Sequence, residues 1–198
     1  MGKAPPPELP LETIRAALRW LRSEKVPGVV IGGVAVVLHG YARFTRDLDV
    51  LVSLNHSRLH AFVASSEKFG FTGRVPDVVG LAGSSRMVLL KHQATDFPLD
   101  VSLGTLEFEE IVIERASHVK IHRINIPVAT PEDLIILKAI ADRPQDIADI
   151  DHLLRENPQV DRPYIRRVLT AFSGILERPD ISEQVEMLLA RHQKRRRK

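Results

Sequence analysis

Apolar residues recur at helical spacing through Leu11, Ile14, Leu18 and Leu21, which predicts a helix starting near Pro10 and ending at Pro27-Gly28, with Trp20 beside its buried face. Residues 29–31 are a β-branched run suited to a short buried strand. Small and apolar residues at 33–38 suit a short buried helix stopped by His39-Gly40, and residues 48–52 read as the next strand. Leu54, Leu59, Phe62 and Val63 predict an amphipathic helix over 53–68. Residues 70–85 are rich in turn formers and read as loop with a weak strand. Strands are expected at 86–91 and 99–103, a Thr105-capped helix to residue 115, and one or two short strands over 119–128.

The pattern then changes. Thr130 at a cap, Pro131 at the first helical position and Asp133 three residues after the cap mark a helix start. Helices are expected at 131–141, 144–156, 161–176 and 181–193, with no strand after residue 129. The chain therefore reads as α+β: an α/β-like half with a short mixed sheet flanked by helices over 10–129, and a C-terminal helical bundle over 130–193. Residues 1–9 and 194–198 are expected to be disordered tails.

Charge changes the picture only at the end of the chain. The formal net charge is +3 over 198 residues, yet residues 191–198 (RHQKRRRK) hold six Lys and Arg and no acid, which leaves −3 for the rest. Such a run suits a solvated terminus or an arm that neutralises nucleic-acid phosphates. The absence of cysteine excludes disulfides, zinc-thiolate sites and a cysteine nucleophile. The longest apolar run, residues 29–38, is interrupted by Gly32 and Gly33 and is about half of the ~20 residues that a spanning helix needs, so no membrane partner is expected. The opening MGKAPPPELP carries no apolar segment of the secretory kind, and the cytoplasm is the expected location.

Asp47 and Asp49 are two apart in an extended apolar run and so point the same way. Two neighbouring carboxylates repel unless a cation lies between them, and Mg²⁺, a hard ion that takes carboxylate, water and phosphate oxygens, suits that place. A strand end whose acids pair with Arg43 or Arg46 is the plainer alternative. Gly32-Gly33 lacks the Lys-Ser/Thr of a Walker loop and the G-x-G-x-x-G spacing of a dinucleotide turn; its functional reading is a strand-to-helix turn whose backbone N–H groups face an anion. Arg43, Thr45 and Arg46 stand just before the acids and could neutralise phosphate charge, and a third acid, Asp100, lies in a later strand. His39 reads as a hydrogen-bonded structural residue, His56 and His60 as surface residues, and Asp146 and Asp149 as structural partners of nearby Arg or Lys.

Together, I-G-G-V-A-x-x-x-H-G-x-x-R-x-T-x-D-x-D-x-x-V (residues 31–52) resembles the signature of the DNA polymerase β-like nucleotidyltransferase superfamily. It is similar in particular to the bacterial AbiEii-like and minimal nucleotidyltransferase branch, which T-P-E-D-L-I-I-L-K-A-I-A-D-R-P-Q-D-I-A-D-I (residues 130–150) also resembles. The resemblance covers roughly residues 29–156, thinning between 54 and 97. It implies a nucleotidyltransferase fold in which Gly32, Gly33 and the following helix hold an NTP such as ATP. Asp47 and Asp49 would bind two Mg²⁺ ions, for which Mn²⁺ could substitute, and Asp100 would share one and act as general base. Lys138 would reach the triphosphate. The implied reaction moves NMP onto an acceptor hydroxyl and releases pyrophosphate.

The acceptor stays open between an RNA or tRNA 3′ end, as in toxin members of that branch, and a protein side chain or an antibiotic-like small molecule. Two other classes remain beside the enzyme: a non-catalytic antitoxin or binding module paired with a cognate toxin, and a nucleic-acid-binding domain driven by the basic tail.

Overall fold

The computed structural model describes residues 9–196. The chain divides into two compact units, Met1–Ala35 with Arg43–Ala129, and Val36–Ala42 with Thr130–Lys198. The expected tail at 1–9 lies outside the described residues apart from Leu9, and the last helix extends into the tail expected at 194–198.

The first unit is a seven-stranded mixed sheet with helices. Its elements are α1 (Leu11–Ser23), β1 (Gly28–Ile31), the start of α2 (Gly32–Leu38), β2 (Leu48–Ser53), α3 (Leu59–Ser65), β3 (Phe71–Gly73), α4 (Val78–Ser85), β4 (Met87–His92), β5 (Phe97–Gly104), α5 (Glu107–Glu114), β6 (Ser117–Ile121) and β7 (Ile124–Val128). The strand order is β3-β4-β5-β2-β1-β7-β6. Pairs β2–β5 and β1–β7 are parallel, and β1–β2, β4–β5, β3–β4 and β6–β7 are antiparallel. The acids sit at the middle of this order, where β2 and β5 run side by side.

Burial explains why these stretches are strands. In β5, Leu99, Val101 and Leu103 are buried, while Asp100, Ser102 and Gly104 on the other face are half-buried. α1 buries Ile14 and Trp20 completely. The Trp20 ring stacks on Phe62 of α3 at 4.2 Å, and its indole N–H donates to Ser65 Oγ at 2.9 Å. The aromatic residue thus brings its own hydrogen-bond acceptor into the core.

Three local expectations differ from the structure. The helix over 53–68 is broken: Asn55 caps a 3₁₀ turn at His56–Arg58 by accepting the Ser57 N–H at 2.9 Å, α3 follows, and a second 3₁₀ turn ends at Gly70 with φ +81°. The supposed loop at 70–85 contains α4, because Asp77 accepts the Gly80 N–H at 2.7 Å and supplies the missing cap. α5 starts after Leu106 rather than at Thr105. Glu109 reaches back and accepts the N–H groups of Thr105 at 2.8 Å and Leu106 at 3.0 Å.

The second unit is helical: the end of α2, then α6 (Pro131–Ala141), α7 (Pro144–Glu156), α8 (Arg162–Ile175) and α9 (Pro179–Arg196). Thr130 caps α6 by accepting the Asp133 N–H at 3.2 Å, and the buried Asp133 accepts the Tyr164 hydroxyl at 2.7 Å. The Asn157 amide donates to the His39 carbonyl at 3.4 Å, and the Tyr41 ring stacks on His152 at 3.5 Å.

Candidate active site

Pairing register builds the acidic cluster. Asp49 on β2 is the direct partner of Asp100 on the parallel strand β5, and on its other side Asp49 faces Ile31, the last residue of β1. Asp47 precedes β2 and lies two residues before Asp49, so the pleat turns both carboxylates to one side. One oxygen from each of Asp47, Asp49 and Asp100 lies within 4.8 Å of the others. Among the described residues this is the one group of acids or histidines with the spacing of a metal site. His56 and His60 are exposed and outside it.

Gly32 follows β1 directly and adopts φ +64°. A Cβ at this position would run into the Asp49 carboxylate, so a side chain is excluded by both conformation and space. A Cβ on Gly33 would lie 2.6 Å from Thr45 Oγ1 and 2.9 Å from Arg43 Nη2. Backbone of the Gly-Gly turn is thus packed against the acid on one side and the Arg43–Thr45 loop on the other. Thr45 Oγ1 donates to the Asp47 carbonyl at 3.1 Å, and Arg43 Nη1 to the Phe44 carbonyl at 2.9 Å. Arg46 is exposed.

Arg74, just after β3, was not legible as a site residue. Its guanidinium is hydrogen-bonded to Asp100 Oδ1. Burial pushes the Asp100 carboxyl above the ordinary carboxylate range; Arg74 partly offsets this, and the neighbouring Asp47 charge adds to it. No motif marks Arg74, which falls in a stretch dense with turn residues.

Lys138 forms buried ion pairs. It is 4% exposed, and its ammonium lies 2.9 Å from Asp146 Oδ1 and 2.6 Å from Asp149 Oδ2, inside the helical unit. An ammonium held by two buried carboxylates forms a structural ion-pair cluster within this unit. Asp146 and Asp149 have the structural role expected of them. Burial of Asp146 opposes its ionisation, but hydrogen bonds from Arg143 and Lys138 outweigh that and hold its carboxyl below the usual range.

The three acids suit a divalent cation. Their donor atoms are all hard carboxylate oxygens, and the raised Asp100 carboxyl reflects burial and the repulsion of Asp47, which a nearby cation would relieve. Asp47, Asp49 and Asp100 would hold the ion.

A family described as a nucleotidyl transferase of unknown function (DUF2204) matches residues 10–187, which include every residue of this site. The chain belongs to that family. The DUF2204 chain is thereby a nucleotidyltransferase, and its α+β sheet agrees in fold with solved nucleotidyltransferases. It is similar to the lincomycin-bound lincosamide antibiotic adenylyltransferase LnuA at 20% identity and a TM-score of 0.53, over 73% of this chain and 96% of that one. It is also similar to the antibiotic-resistance factor ANT(2'')-Ia at 16% identity and a TM-score of 0.52, over 93% and 92% of the two chains. No curated protein matches the chain in sequence. No helix among the described residues is long and apolar enough to cross a membrane.

Proposed function

We propose that the chain transfers NMP from an NTP to a hydroxyl acceptor, with Mg²⁺ held by Asp47, Asp49 and Asp100. The observation that carries this reading is the convergence of three carboxylates, from β2, the residue before it and β5, beside a glycine whose space one of them fills. Gly32 and Gly33 give the triphosphate a backbone surface without side chains, and Arg43, Thr45 and Arg46 supply donors and positive charge beside it. Asp100, with its raised carboxyl, takes the proton of the acceptor hydroxyl. The acceptor oxygen bonds to the α-phosphorus as the bond to the β-phosphate oxygen breaks, and pyrophosphate leaves. Divalent ions held by Asp47, Asp49 and Asp100 would supply positive charge for the attacking and departing oxygens.

The acceptor on this reading is an RNA 3′ end. The second reading is an antibiotic-like small molecule, which the two similar solved structures favour, since those proteins are an antibiotic adenylyltransferase and an antibiotic-resistance factor. Incubation with each α-labelled NTP, Mg²⁺ and either total tRNA or a panel of aminoglycosides and lincosamides separates the two. Label on RNA supports the first and label on a small molecule the second. No transfer to any acceptor, with Asp49→Ala indistinguishable from wild type in pyrophosphate release, refutes both.

A further inference from the structure

Away from the acids, α1 and the start of β7 form an open cavity of about 180 Å³ lined by Arg15, Leu18, Arg19, Arg22, Arg123 and Asn125, among others. Arg15, Arg19 and Arg22 are spaced i, i+4 and i+7, so they form one row over about 10 Å of helix. The other side of α1 buries Ile14, Ala17, Trp20 and Leu21, which fixes the direction in which the row faces. Arg123 reaches the same cavity from the β6–β7 turn.

All four arginines are exposed, and none has an ion-pair partner among the described residues. Glu24, the acid at the end of α1, lies 3.8 Å from Arg58 instead. Like charges gathered without counter-charge are unfavourable in isolation, and the chain outside residues 191–198 is net acidic, so this cluster is not part of a generally basic surface. Guanidinium groups in a row suit phosphate, whose oxygens match their forked donors. A row of about 10 Å is longer than one phosphate needs and suits successive phosphates of one strand.

The cavity is distinct from the acidic cluster. β7 runs parallel to β1 with Val128 opposite Val30, and the acids lie at the end of β1, where Ile31 faces Asp49. Ile124 is four residues, or about 13 Å of strand, back from Val128 toward the opposite end of the sheet.

We propose that Arg15, Arg19, Arg22 and Arg123 form a binding surface for the phosphate backbone of a polynucleotide, separate from the Asp47–Asp49–Asp100 site. The test is fluorescence anisotropy of the full chain with a labelled 20-nucleotide polyuridylate RNA at ionic strengths from 50 to 200 mM. Four phosphate contacts give a slope of log K on log salt of about −2.8 for a single strand, and Arg19→Gln with Arg123→Gln reduces its magnitude by about 1.4. Replacing the Lys and Arg of residues 194–198 by Gln separates the cavity from the tail. The proposal requires that this tail variant still lose slope when the two arginines are changed. It is overturned if the arginine double variant, with an unaltered melting temperature, binds like wild type, or if binding resides in the tail alone. Equally tight, arginine-dependent binding of polyglutamate also overturns it, because the surface would then accept any polyanion.

Discussion

The Cα of Gly32 points its missing side chain at the Asp49 carboxylate, so the turn after β1 and the central acid of β2 occupy adjoining space that one added carbon would fill. Gly32 also has φ +64°, where an L side chain is strained. Gly32→Ala therefore displaces Asp49 and strains the turn together. The expected outcome is a stability loss of about 1–3 kcal/mol by urea unfolding, with loss of nucleotidyl transfer beyond detection. An Ala variant with wild-type turnover contradicts the close packing of turn and acid.

Asp100 gives a prediction of opposite sign for stability and function. Its carboxyl is raised in the folded chain, mainly by burial and further by Asp47, despite Arg74. A raised carboxyl means that the folded state binds this proton more readily than the unfolded one, so ionisation as pH rises above the ordinary carboxylate range weakens the fold. Asp100→Asn should raise the melting temperature in EDTA at pH 7 and reduce the stabilisation that Mn²⁺ confers on wild type. Thermal scans with and without Mn²⁺ check both halves.

Lys138 carries a structural prediction. Replacing it with Met leaves Asp146 and Asp149 buried without its ammonium, at a cost of about 3–5 kcal/mol. In wild type, the lowered Asp146 carboxyl contributes stability that is complete above its unfolded value near 3.8 and is lost as pH falls through the still lower folded value. Lys138→Met should remove part of that acid-limb dependence, measured by chemical denaturation between pH 5 and pH 2. Undiminished stability combined with weakened NTP binding would return Lys138 to the triphosphate.

Much of the site was legible because its signals are local. The two-residue spacing of Asp47 and Asp49 in an apolar run fixes their common direction, and Gly32-Gly33 between strand and helix marks a turn with no room for side chains. Asp100 stood out as a charged residue inside an apolar strand, but its pairing with Asp49 is a register between strands fifty residues apart, which no local pattern encodes. Arg74 meets Asp100 only because β3 and β4 extend the sheet beyond β5. The ion pairs of Lys138 are hidden for the same reason. The i, i+3 spacing of Asp146 and Asp149 is visible in the sequence, but no local pattern shows that the turn at Arg143-Pro144 folds α7 back against α6 and brings them to the lysine. Likewise α4 depended on one cap, Asp77, among residues that favour turns.

The central claim is that Asp47, Asp49 and Asp100 act together as one divalent-cation site serving nucleotidyl transfer. Titration of the full chain with Mn²⁺, followed by electron paramagnetic resonance with a nonhydrolysable NTP present, tests it most directly. The account predicts two bound Mn²⁺ per chain, reduced in Asp100→Asn and absent in Asp47→Asn with Asp49→Asn, while Lys138→Met retains both wherever it remains folded. Mn²⁺ binding that is absent in wild type, or unchanged when Asp47 and Asp49 are both replaced, would contradict it.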